Sequence, residues 1–166
     1  MCPWSVKRPH AYAQYTGVLY NLRKLQEVVL SIESNKAAVR RFNLEVIQEG
    51  NKTSFNNLMA HNFINHSAPE GASNGPEGMW HTFQNILKPA LSDLRVTIQD
   101  QIAEGDKVTT RKTITGIHEG VLLGIPPTHK QVVIDVIDVV RLENGRYAEH
   151  WGMNSLASVI AMLKQA

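Results

Sequence analysis

Apolar and polar positions along the chain change their period part-way, and the change divides the protein into helical and strand-forming halves. From about Ala11 to Ser34, Tyr15, Val18, Leu22, Leu25, Val29 and Ile32 recur at alternating steps of three and four, a heptad-like stripe on one long helix. That stripe either packs on the rest of the domain or meets a second copy. Ser34 or Asn35 suits the cap of a second helix, with Val39, Phe42 and Val46 on one face and Gly50 as its stop. A short helix is expected over Ser54–Met59. A brief apolar stretch and the loop HNFINHSAPEGASNG follow. Pro76 then starts a helix carrying Met79, Trp80, Phe83 and Leu87, ended by Pro89.

From Asp93 the period falls to two. Leu94, Val96 and Ile98 alternate with polar residues, Glu104-Gly105-Asp106 marks a turn, and VTTRKTITGIHEG is a further strand. QVVIDVIDVVRLENGRYAEHWG reads as a hairpin around Asn144-Gly145. A last helix spans SLASVIAMLK, capped by Asn154 or Ser155. Helices, then three or four antiparallel strands, then a helix define an α+β domain.

The hairpin raises the chemical question. The even positions of its first strand, Val132, Ile134, Val136, Asp138, Val140 and Leu142, are apolar except Asp138, so a carboxylate lies on the face to be buried. With a two-residue turn, Glu143 pairs with Arg146, Leu142 with Tyr147, Val140 with Glu149 and Asp138 with Trp151. That register gathers Asp138, Glu149, Tyr147 and Trp151 on the inner face. His150 falls on the outer face unless a bulge shifts the pairing by one. Two carboxylates in an apolar site raise the pKa of at least one, the usual way to obtain a proton donor or acceptor near neutrality.

Composition narrows the classes. At 166 residues, 43% hydrophobic and 19% charged, one soluble globular domain is the default. A net charge of +2 with no basic run beyond Arg40-Arg41 argues against nucleic acid as the main partner. The single cysteine, Cys2, allows neither an internal disulfide nor a cysteine metal site. No apolar leader region or transmembrane run stands out, so no membrane association and a cytoplasmic location are expected. A metal site drawn from His66, His150 and Glu149 lacks ligand spacing, so no metal or other cofactor is expected.

NKAAVRRFNLEVIQEGN, NHSAPEG around His66, IAEGDKVTTRKTITGIHEG, GIPPTHK and DVVRLENGRYAEHWG follow one another in an order that resembles the SnoaL-like polyketide and ester cyclases. The resemblance covers residues 35–166 and leaves residues 1–34 as an N-terminal extension. It implies a cone-shaped α+β barrel of the nuclear transport factor 2-like type, shared with ketosteroid isomerases and limonene epoxide hydrolases. It also implies ring closure by intramolecular aldol condensation without metal or cofactor, and a homodimer. VIDVVRL is similar to the segment of ketosteroid isomerases whose protonated Asp donates to an oxyanion; this points to Asp138. His66 lies where isomerases carry their base. Phe42 stands where isomerases place a catalytic Tyr. Gly152 stands where the resemblance implies an acid/base Asp after a His-Trp pair.

The expected catalytic residues are therefore Asp138, His66 and Glu149. Phe42, Trp80, His118, Tyr147, His150 and Trp151 are expected to contact a small apolar carbonyl substrate in cyclisation, isomerisation or hydration. The rival expectations are a pocket that only binds such a molecule, and an assembly role for the sheet's outer face and the N-terminal helix.

Overall fold

The structure, a computed structural model, describes residues 10–165, with side chains from Leu19 onward. Helix α1 (His10–Arg41) runs unbroken through the position expected for a cap and continues as a π-helical segment, Phe42–Gln48. Neither Ser34 nor Asn35 interrupts it, because good helix formers follow directly. Gly50, at φ 78°, ends it as the sequence implied. Tyr15 and Val18 of the stripe lie outside the described side chains. Leu22, Leu25 and Val29 are exposed, so this part of α1 does not pack on the domain. The core begins at Ala38 and Val39.

Helix α2 (Lys52–Leu58) starts where the Asn51 side chain accepts from the Ser54 N–H at 3.0 Å. Strand β1 (Met59–Asn65) follows directly, in the short apolar stretch. Helix α3 (Pro76–His81) continues through the π-helical segment Thr82–Leu87 into α4 (Lys88–Ala90). Strands β2 (Leu91–Glu104), β3 (Lys107–His118), β4 (Gln131–Glu143) and β5 (Arg146–Asn154) lead to α5 (Leu156–Leu163).

The sheet has five strands in the order β1-β5-β4-β3-β2, one more than the sequence pattern indicated. β1 joins β5 in parallel; the other pairings are antiparallel. The fold is the expected α+β class, yet the sheet is curved and open rather than a closed barrel, with β1 and β2 as edges. Helices cover its inner face. Phe42, Val46, Ile47, Phe55 and Leu58 pack there against Val108, Val140, Leu142 and Tyr147. Phe42 stacks on Tyr147 with ring centroids 4.2 Å apart.

The decisive local feature is a β-bulge. Glu143 pairs with Arg146 and Leu142 with Tyr147 as the turn dictates, but Arg141 pairs with Glu149, leaving Ala148 without a partner. Beyond it Val140 faces His150, Val139 faces Trp151 and Asp138 faces Gly152. A one-residue slip exchanges the faces of every later side chain. His150 and Gly152 therefore turn inward, and Glu149 and Trp151 turn outward.

Candidate functional site

A cavity of about 250 Å³ lies between α3 with its π-helical continuation and the inner face of the sheet. Its walls are apolar, with Met79, Phe83, Ile86 and Leu87 on the helical side and Ile114, Ile134 and Val136 on the sheet; Asn65, Ser67, Lys112, Asp138, His150 and Asn154 also line it. A mostly apolar pocket with a few converging polar groups is the usual form of a small-molecule site.

Asp138 and Lys112 are both about 5% exposed, and the Lys112 Nζ donates to Asp138 Oδ2 at 2.6 Å. The pairing follows from register: Thr110 is opposite Asp138 and Lys112 is opposite Val136, so the two charged residues are diagonal neighbours on the inner face. Burial alone would raise the Asp138 pKa. The charge of Lys112, the adjacent His150 and the Lys112 hydrogen bond outweigh burial and hold the carboxyl below the ordinary Asp value. Asp138 is thus an ionised partner of a buried ion pair, which corrects the expectation of a protonated donor. Its Oδ1 is buried without a hydrogen-bond partner.

His150 completes the polar end, with Nε2 3.7 Å from Asp138 Oδ2. Its Nδ1 lies 2.8 Å from Asn65 Oδ1. That oxygen already accepts from the Ser67 N–H at 3.0 Å, which fixes the amide orientation. An oxygen cannot donate, so His150 Nδ1 carries a proton; in the neutral ring Nε2 bears the lone pair, and in the protonated ring the Nε2–H points towards Asp138 Oδ2, the state in which His150 lowers the Asp138 pKa. The loop after β1 is tied to β5 by two further bonds: the His66 N–H donates to the His150 carbonyl at 2.8 Å, and the Gly152 N–H donates to Ser67 Oγ at 2.7 Å.

Other expected site residues lie elsewhere. Glu149 is on the outer face, accepting from Arg141 Nε at 2.6 Å and lying 2.7 Å from His66 Nε2. Bonding to Arg141 and then to His66 lowers its pKa, so it stays ionised and does not join Asp138. His66 is exposed and stacks on Trp151 at 4.6 Å, both outside the cavity. The Ala148 bulge is the reason that Glu149 and Trp151 face outward; His66 meets them from the loop after β1.

Phe42 and Tyr147 are core residues beneath the pocket. Burial, and then the Asp138 charge, hold the Tyr147 hydroxyl well above the ordinary phenol value. Trp80 packs edge-on against Phe55 under Lys52 and lines an outer groove that adjoins the cavity at Asn65 and Ile86. His118 is fully buried, its Nδ1 3.0 Å from Thr128 Oγ1, and does not line the cavity. Of the expected contacts, Asp138 and His150 meet there. Lys112 and Asn65 join them unforeseen. Lys112 was within reach of the same alternation argument, since it shares parity with Val108 and Ile114. Among the described residues, no group of three or more His, Cys, Asp or Glu side chains is placed to hold a metal ion.

Residues 37–164 match the model of the SnoaL-like polyketide cyclase family. The chain belongs to that family. Among solved structures it is similar to TsrD from Streptomyces laurentii, at 25% identity over 81% of this chain and 97% of that one, with a TM-score of 0.71. A candidate polyketide cyclase from Acidithiobacillus ferrooxidans shares 26% identity over 80% of this chain and 96% of its own, with a TM-score of 0.69. A Catenulispora acidiphila protein with a ketosteroid isomerase-like fold, in complex with trimethylamine, has the same fold at 17% identity, covering 76% of this chain and 92% of its own, with a TM-score of 0.59. No match is found among curated proteins. No helix among the described residues is long and apolar enough to cross a membrane.

Proposed function

We propose that this SnoaL-like protein transfers protons on a compact, hydrophobic, polyketide-like carbonyl compound, with His150 rather than His66 or Glu149 as the base. The observation that carries this reading is the Asn65–His150 contact, which commits Nδ1 to Asn65 and leaves Nε2 beside Asp138, at the polar end of an apolar cavity that His150 lines. His150 Nε2 removes a proton next to the substrate carbonyl. The electron pair moves onto the carbonyl oxygen, and the Lys112 ammonium stabilises the resulting enolate. Asp138 holds Lys112 in place and offsets the positive charge that forms on His150. When the enolate carbon attacks a second carbonyl of the same molecule, the imidazolium returns its proton to the new alkoxide. Ring closure by this route is redox-neutral and draws on no group outside the chain.

Deuterium incorporation into 2-tetralone, an enolisable bicyclic ketone, tests the reading in D2O by NMR. The wild type accelerates exchange over buffer, and His150→Gln loses about 10²–10⁴ of the acceleration, the range typical of a positioned base. Exchange at the buffer rate in the wild type, or an unchanged rate in the variant, would refute it.

One observation favours a pocket that only binds. Asp138 and Lys112 already satisfy one another, so neither is free as an acid or base. A tight ligand recovered unchanged, with no exchange catalysed, would establish that reading instead. A second copy of the chain is the partner we propose, through the α1 stripe and the outer sheet face, where Val133, Ile137 and Met153 are exposed.

A further inference from the structure

Gly152 sits in the middle of the site in a conformation that does not require glycine. Its φ lies outside the left-handed region, where any L-residue fits. Glycine within a strand weakens it, so its presence there has another cause. The cause is visible in the space above it. A Cβ built on Gly152 would lie 2.8 Å from His150 Cε1, closer than real Cβ atoms approach, and 3.1 Å from His150 Nε2, a tight contact. Residues two apart on a strand normally stand side by side, perpendicular to the sheet. Here the His150 ring leans along β5 and lies over the glycine. In that pose Nδ1 reaches Asn65 at 2.8 Å and Nε2 stands 3.7 Å from Asp138 Oδ2.

We propose that Gly152 is a positioning residue: its missing side chain is the berth of the His150 imidazole and fixes which ring nitrogen faces the cavity. The proposal rests on the reading of His150 as the base and adds what places it. A methyl group at position 152 pushes the ring off Asn65 and away from Asp138. The only tight contacts are with the ring's far end, so the variant folds and the ring moves.

The test reads the ring directly. In protein labelled with 15N-histidine, the neutral His150 ring of the wild type shows the Nδ1-protonated pattern in long-range proton–nitrogen spectra. Asn65→Ala identifies the signals by abolishing that pattern. Gly152→Ala shifts both ring nitrogens and loses the pattern, and exchange of 2-tetralone falls at least tenfold. A thermal cycle keeps the test independent of catalysis. Gly152→Ala lowers the melting temperature in the wild type and leaves it unchanged or raised in a His150→Ala background. Unmoved ring signals in Gly152→Ala, or an equal melting loss in both backgrounds, would overturn the proposal. Absence of exchange in the wild type refutes the proton-transfer reading alone, because the spectra and the cycle report the berth without turnover.

Discussion

Replacing Lys112 by Met tests the electrostatics of the cavity through stability. The substitution keeps a long side chain and removes one charge from a pair whose members are both about 5% exposed. Breaking a buried pair by removing one partner costs about 3–5 kcal/mol, because the other charge stays buried and uncompensated. At about 2–4 °C per kcal/mol for a chain of this size, the melting temperature falls by roughly 6–20 °C at pH 7. The pH dependence carries the sign. In the wild type the Asp138 pKa is depressed, so its contribution is fully present above the unfolded value of about 3.9 and is lost as pH falls through the lower folded value. Without Lys112 the largest stabilising influence on the carboxylate is gone and burial pushes the pKa upward, so acid relieves the variant by protonating Asp138. The gap between wild type and variant therefore narrows as pH falls. The double variant Lys112→Met/Asp138→Asn, with no buried charge, recovers most of the loss. Urea melts from pH 4 to pH 8 measure all three quantities. A loss below about 1 kcal/mol, the value of an exposed pair, or a gap constant with pH, would refute the reasoning.

Other expectations follow from where the remaining residues sit. Glu149→Gln changes the rate of 2-tetralone exchange by no more than about a factor of two, because its carboxylate is held on the outer face by Arg141; a loss comparable to that of His150→Gln would return Glu149 to the site. Phe42→Ala, which removes a ring packed on Phe55, Phe83 and Tyr147, costs about 3–5 kcal/mol by denaturant melts. Leu25→Glu alters an exposed side chain, so the stability of the folded unit stays within about 0.5 kcal/mol. In sedimentation the wild type runs as a dimer and Leu25→Glu as a monomer; a wild-type monomer at micromolar concentration removes the second copy as partner.

The elements that sequence periodicity revealed are those whose burial is one-sided. β4 alternates cleanly, so Asp138 could be assigned to the inner face, and Asn144-Gly145 fixed the first pairs of the hairpin. The bulge was harder to see because it changes no residue type. Its trace was the charge complementarity of Arg141 and Glu149, which are opposite one another only if Ala148 is skipped. Missing that trace misplaced Glu149, Trp151 and His150 together. β1 was hidden because its residues are of mixed polarity and it joins the sheet by a parallel pairing far along the chain. The α1 stripe declared a face to be covered without declaring by what, and in the single chain its Leu22, Leu25 and Val29 stay exposed. Lys112 illustrates a bias of polarity-based reading. A lysine is presumed to reach solvent, although its parity with Val108 and Ile114 pointed inward, towards the buried Asp138 carboxylate in need of a cation.

The buried ion pair either assists proton removal or merely survives the fold. Deuterium incorporation into 2-tetralone in the folded double variant Lys112→Met/Asp138→Asn, with His150 intact, separates the two. The expected protein melts near the wild type yet has lost about tenfold or more of the exchange rate, since His150 then works without a charge to stabilise the enolate. A double variant that exchanges as fast as the wild type would contradict the assisting role.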